Sequence, residues 1–322
     1  MQRSSRNKIV GFLVGFFLLS TTFFVRHLHK KSNYVPKRNF LAERTDDDGF
    51  SRALTEKNIA DDFVIAKILV KIMKFFGHAA KFGEYVLTEH ISLFDAIEII
   101  ASGKVVVHKI TIPEGFSVVR FMERLNKNED LLGEVTEIPP EGSLLPDTYC
   151  FKYPTQKQEI IRTAQKAMRE FIKKEWPKRS EKCILKTPDE VLTLASIVEK
   201  ETNIEREIIA GVYFHRLKIK MKLQSCPTAI YAHKKGEVLG HALKYSELTI
   251  DDPYNTYVYE GLPPTPIANP GRESIIAVLH PQETDNLFFV YEGEGKHAFA
   301  KTYEQHKLNI ARIRNMSISD VR

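Results

Sequence analysis

The stretch that decides the architecture is Thr187-Pro188-Asp189-Glu190-Val191-Leu192-Thr193-Leu194-Ala195-Ser196-Ile197-Val198-Glu199-Lys200-Glu201. Its first four residues place an N-cap threonine, a proline at the first helical position and a glutamate three residues after the cap, the pattern of a capping box. The two acids sit at the positive end of the helix dipole. Beyond the cap, apolar side chains occupy nearly every side of the predicted helix, so it must be buried inside a domain. The flanking sequence supplies that domain. A second helix is predicted over 205–217, carrying Ile208, Ile209, Val212, Tyr213 and Leu217. Leu287-Phe288-Phe289-Val290-Tyr291 reads as a strand. Gly293-x-Gly295 before Lys296 lacks phosphate-loop spacing and reads as a hairpin turn. The Pro-, Gly- and Tyr-rich segments between them read as turns and loops.

Towards the N-terminus, Ile59, Phe63, Ile65, Ile68, Leu69, Ile72 and Phe76 recur at helical spacing. A short strand over 82–87, a helix over 93–101 closed by Ser102-Gly103, and a β-branched strand over 105–112 follow. The expected class is α+β. The expected organisation is a cytoplasmic stub and transmembrane anchor over 1–26, a juxtamembrane linker over 27–50, a small α/β unit over 51–109 and a larger mixed domain over 110–322.

Composition narrows the function. The 322 residues are 43% hydrophobic and 27% charged, which excludes wholesale disorder. Three cysteines, Cys150, Cys183 and Cys226, none in a CxxC pair, exclude a disulfide framework. The net charge is +6, yet residues 1–38 carry eight basic side chains and no acidic one. The other 284 residues hold 39 basic against 41 acidic, so the body offers no footprint for nucleic acid. Residues 9–25 form a 17-residue run without charge. That run reads as an uncleaved single-pass anchor, because no small-residue cleavage site follows. Five basic residues follow it closely and three precede it, a margin that leans to a cytoplasmic body without deciding the side.

Glu201 ends the apolar helix, with Ile197 and Val198 one turn back. Desolvation there raises a carboxyl's pKa, the condition for a general acid near neutrality. Glu199 lies about 200° away around the axis, so the two acids form no paired-carboxylate site. The competing reading makes both solvated acids paired with Lys200 or Arg206, and such ion pairs outnumber catalytic acids. His280, His297 and His306, spaced by 17 and 9 residues, match no metal motif and read as structural histidines. No metal is expected. Tyr245, Tyr254, Tyr257 and Tyr259, with Asn255, fit either a sugar-stacking groove or ordinary core tyrosines.

Several segments stand in order: Glu141-Gly142-Ser143-Leu144-Leu145-Pro146-Asp147-Thr148-Tyr149, Leu194 to Thr202, and Leu223-Gln224-x-x-Pro227-Thr228-x-Ile230-Tyr231. Then come Tyr254-Asn255-Thr256-Tyr257, Gly261-Leu262-Pro263-Pro264, Ile267-Ala268-Asn269-Pro270-Gly271, His280-Pro281 and Gly295-Lys296-His297-Ala298-Phe299. With this combination the chain resembles the endolytic murein transglycosylase (MltG, or YceG-like) family over residues 105–310. The resemblance implies a LysM-like subdomain over 51–109, no cofactor, and a single-pass inner-membrane protein with its body in the periplasm, against the charge count. It also implies internal cleavage of nascent peptidoglycan strands at the β-1,4 bond between N-acetylmuramic acid and N-acetylglucosamine. That lyase step leaves a 1,6-anhydro-muramoyl end and terminates glycan elongation beside the peptidoglycan synthases.

By the same resemblance, the family's essential acid falls on Glu201, and motif position makes Gln224, Thr228, Tyr254 and Asn255 substrate-binding. The nucleophile is the substrate's own 6-hydroxyl, so one carboxyl acts as acid and then base and no second is required. Cys226 stands where the family usually has an acid. A non-catalytic glycan-binding scaffold and a hydrolase leaving a reducing muramic acid end are the alternatives.

Overall fold

The computed structural model describes residues 28–36, 39–43, 45–241 and 243–319, with positions 22, 25 and 26. The rest of the expected anchor at 1–26 lies outside the described residues. Among the described residues no helix is long and apolar enough to cross a membrane. Short strands alternate with capped helices in a mixed α+β fold, and the chain divides into two compact units, 1–108 with 151–154, and 109–150 with 155–322.

In the first unit, β1 (Phe40–Ala42) pairs antiparallel with β2 (Gly83–Tyr85), Phe40 opposite Tyr85. Between them lie α1 (Asp47–Glu56) and α2 (Phe63–Phe75), and α3 (Leu93–Ser102) follows. Asp46, Asp62 and Ser92 accept first-turn N–H groups at the three N-termini, which leave backbone donors unpaired otherwise. α3 stops at Gly103, whose φ of 73° is left-handed. Asp62 starts α2 later than the apolar spacing predicts, so Ile59 enters the core from the preceding turn. Residues 27–50, expected as a linker, supply Tyr34, Phe40, Ala42 and Phe50 to that core. Those positions are too scattered to register as a period.

The second unit takes most of β3 (His108–Ile112), then α4 (Val118–Asn126), β4 (Leu131–Leu132) and most of β5 (Asp147–Phe151), which pairs with β3. β6 (Thr155–Gln156) runs parallel to β4 and leads into α5 (Lys157–Glu175). The quoted stretch forms α6 (Pro188–Glu201), and both halves of its capping box are made between Thr187 and Glu190. α7 (Arg206–Lys218), α8 (Cys226–Lys234) and α9 (Arg272–Leu279) surround it. Val191, Leu194, Ala195, Ile197 and Val198 of α6 have no exposed surface. Gly211 lets α7 approach the chain after α9, since a Cβ there would lie 2.0 Å from the Gln282 carbonyl oxygen. The hairpin β7 (Phe288–Gly293) and β8 (Lys296–Ala300) turns through Glu294 and Gly295, both left-handed, and α10 (Tyr303–Ser319) packs on it.

Trp176, the one tryptophan of the sequence, packs against this second core and reports on it alone. Thr187→Ala removes the α6 cap and is expected to lower this unit's stability by about 1 kcal/mol. Urea unfolding followed by Trp176 fluorescence checks it.

Candidate active site

α6 ends on Glu201, the candidate acid. Thr202 leaves the helix in an extended conformation, and its hydroxyl accepts the N–H groups of Ile204 and Glu205, turning the chain into α7. This turn brings α7 back against α6 and sets Tyr213 opposite Glu201. The Tyr213 hydroxyl donates to Glu201 Oε1 at 2.8 Å, and Ser225, at the start of α8, donates to the same oxygen at 2.5 Å. Glu201 Oε2 takes no hydrogen bond among the described residues. One oxygen is therefore held, and the other is left for a proton and a ligand.

Burial pushes the Glu201 carboxyl above its ordinary range, against the lowering pull of the Ser225 and Tyr213 hydroxyls and of nearby His297 and Arg216. Tyr213 has no exposed surface and is itself pushed far up by burial, then by Glu201, so it stays a neutral donor. Arg216, buried beside it on α7, donates to the carbonyls of Leu223 and Leu287 at 2.6 Å each and to no carboxylate. Its charge is left to act on the cleft.

That cleft, about 440 Å³, is lined by Glu201, Arg216, Gln224, Cys226, Tyr257 and His297 among others. Glu201 is the one carboxylate among its lining residues. A second cleft of about 410 Å³ shares Glu201, Tyr291 and His297. His297 comes from β8, with Nδ1 and the backbone N–H both on Glu205 Oε2, at 2.9 and 2.8 Å.

Glu199 has a different fate. Its Oε2 accepts from the Gly271 N–H at 2.9 Å and the Ser274 hydroxyl at 2.7 Å, and Arg206 approaches Oε1 at 3.8 Å. The solvated reading of the two acids therefore fails, since both are drawn into the protein. Among the other expected site residues, Gln224 is exposed on the cleft with a left-handed φ of 50°, its N–H on the Thr256 carbonyl. Thr228 and Asn255 have no exposed surface. Thr228 bonds the Ser225 carbonyl and the Thr256 hydroxyl, while Asn255 donates to the carbonyls of Leu248 and Ile250. Both brace the loops that present Ser225 and Tyr257. Tyr254 packs tilted against Tyr231, ring centroids 4.8 Å apart, and bonds Thr265; it is not among the residues lining either cleft. His306 lines the larger cleft and stacks on Phe288 at 5.3 Å. Among the described residues no cluster of His, Cys, Asp and Glu is arranged to hold a metal ion.

Tyr257, offered by the sequence as a groove or core tyrosine, lines the cleft; Ser225, Tyr213 and Arg216 complete the site, and residue types alone did not single these three out. Tyr213 and Arg216 carried a signal, two polar groups three apart on one face of an otherwise apolar helix. Ser225 carried none, being a variable position inside a motif.

The profile of the YceG-like family matches residues 43–312. The chain belongs to that family. An endolytic murein transglycosylase of Bacillus subtilis is 38% identical over 182 residues, 55% of this chain and 49% of that protein. Another, from Streptococcus pneumoniae strain D39, is 35% identical over 187 residues, 56% of this chain and 33% of its own length. The chain thus spans a third to a half of these relatives. A crystal structure of a yceG-like protein from Listeria monocytogenes, 29% identical, superposes with a TM-score of 0.51 over 84% of this chain and 97% of that one.

Because Glu201 holds its proton to higher pH when folded than when unfolded, stability falls as pH rises from about 4.5 through the raised value. Glu201→Gln removes that loss. Urea unfolding read at Trp176 is expected to show the variant gaining on the wild type between pH 4.5 and 8 and matching its trend below that window.

Proposed function

We propose that this YceG-like protein is a membrane-anchored endolytic lytic transglycosylase that cuts nascent peptidoglycan strands between N-acetylmuramic acid and N-acetylglucosamine. The observation that carries the reading is Glu201 itself, a lone desolvated carboxyl in an open cleft with one oxygen held by two hydroxyls and the other free. The names borne by the B. subtilis and S. pneumoniae relatives support the substrate class.

In this reading, protonated Glu201 gives its proton to the glycosidic oxygen as the bond to the muramoyl anomeric carbon breaks. The carboxylate so formed takes the proton of the muramoyl 6-hydroxyl while that oxygen bonds the anomeric carbon, closing the 1,6-anhydro ring. Proton and carboxyl return to their starting state, so neither water nor a second acid is consumed. Tyr213 and Ser225 stabilise the carboxylate between the two steps. Gln224 and Tyr257 orient the sugars from the cleft wall, and Thr228 and Asn255 act on them through the loops they brace. Tyr254, which lines neither cleft, contacts substrate beyond them. The run over 9–25 anchors the chain in the inner membrane with its body in the periplasm, beside the synthases, and the β-α-α-β core of the first unit serves as the LysM-like subdomain.

Mass spectrometry of products from nascent, uncrosslinked glycan tests the chemistry. Anhydro-muramoyl ends are expected from the wild type, with at least about a 100-fold loss in Glu201→Gln. Reducing muramic acid ends mean a hydrolase, and glycan bound but uncut by both proteins means a scaffold. The Cys226 thiol lies 3.1 Å from the Tyr257 hydroxyl and burial pushes its pKa up, so this wall of the cleft is uncharged. Cys226→Asp sets a like charge in the cleft and is expected to move the alkaline limb of kcat/KM against pH upwards.

A further inference from the structure

Lys200 precedes the candidate acid on α6 and faces a cavity the proposed mechanism does not use. The cavity, about 260 Å³, is walled by Gly115, Ser117, Arg120, Tyr231, Gly236 and Lys200, with Ile230 and Ile267 adding apolar surface. Two cations open onto it. The Lys200 ammonium donates only to the Gly115 carbonyl, at 3.4 Å. The Arg120 guanidinium stacks on the Phe116 ring at 3.9 Å. Neither has a carboxylate partner in an ion pair among the described residues.

The acids nearby do not neutralise the pair. Glu199 is turned to Gly271, Ser274 and Arg206. Glu141, behind the wall at Val118 and Tyr231, accepts the Val118 N–H and is pushed up to about 7 by burial. Glu237 is exposed on the rim. Burial and, second, Arg120 hold the Lys200 ammonium below its ordinary pKa, against a weaker upward pull from Glu199. Gly236, left-handed at φ 96°, allows the wall to close on Ser117, whose Cβ would be 2.8 Å from any side chain there.

We propose that this cavity is an anion subsite taking a carboxylate of the peptide carried on the muramoyl lactyl group. The inference rests on the peptidoglycan reading. Lys200 lines both this cavity and the second cleft containing Glu201, so a peptide leaving a muramoyl ring at Glu201 reaches it without crossing the fold. Arg120 supplies a planar fork matched to a carboxylate, Lys200 the second charge, and the apolar walls accept methyl-bearing residues. The subsite then discriminates peptide-bearing strands from bare glycan.

Calorimetric titration of the full chain with a soluble muramoyl pentapeptide tests this without requiring turnover. Binding is expected, at least five-fold weaker in Arg120→Gln and in Lys200→Gln, only partly kept in Arg120→Lys, which retains the charge without the fork, and at least ten-fold weaker for the peptide with its carboxylates converted to amides. No binding, equal binding of the amidated peptide, unchanged binding in the Gln variants, or displacement by equimolar inorganic phosphate overturns it. Kinetics separate the two claims. With cleavage confirmed, the Gln variants are expected to raise KM for peptide-bearing strands at constant kcat, and to leave KM for amidase-stripped strands unchanged. If no strand is cut, the enzymatic reading fails while the titration still decides the subsite.

Discussion

The structure turns on the burial of α6. A helix hidden on nearly every side cannot leave a polar group to water, and an unpartnered buried polar group costs on the order of 1–3 kcal/mol. Thr193 pairs within the helix, on the Asp189 carbonyl, but the other buried polar side chains take partners from other segments. Ser196 takes the Ile267 N–H, Glu199 takes Gly271 and Ser274, and Glu201 takes Tyr213 and Ser225. These bonds recruit the loop before α9, the start of α9 itself, α7 and the start of α8. The loops around the cleft are placed by the needs of the helix that passes beneath them.

The same demand gives two glutamates two positions apart opposite characters. Glu199 meets backbone N–H, a hydroxyl and a guanidinium, which spend its lone pairs on structure. Glu201 meets only hydroxyls, and only on one oxygen. His297 and then Arg216 act on it through the field alone, Arg216 being occupied by carbonyls. Identical side chains on one helix thus separate into a structural anchor and a candidate acid by the elements they face, as carboxyl pairs elsewhere divide by environment.

Legibility in the sequence followed range. Features decided within a turn or two of chain were readable: the Thr187 box, the Gly103 stop, the hairpin at Gly295, and the desolvated setting of Glu201. Features decided by contacts between distant segments were not. Ser225 matters because residues 224–225 are pinned to Thr256, and Thr228 and Asn255 lie inside that clasp although their motifs suggested a surface. Residues 28–50 failed to read as core because their apolar positions have no period and are collected by β1 and the chain beside it.

A group that must act as acid and then as base requires opposed forces on one carboxyl. Burial alone would hold the proton so firmly that ring closure would lack a base, whereas hydroxyl donors and a cation alone would strip it before the first step. Glu201 has both: burial acts on the whole carboxyl while the two hydroxyls hold Oε1 alone, which leaves Oε2 to carry the proton in the proposed reaction. An acid at position 226 would add to the burial side of that balance. The thiol of Cys226, held neutral by burial and bonded to Tyr257, adds nothing, and the balance here is set by the two hydroxyls, Arg216 and the depth of the helix end.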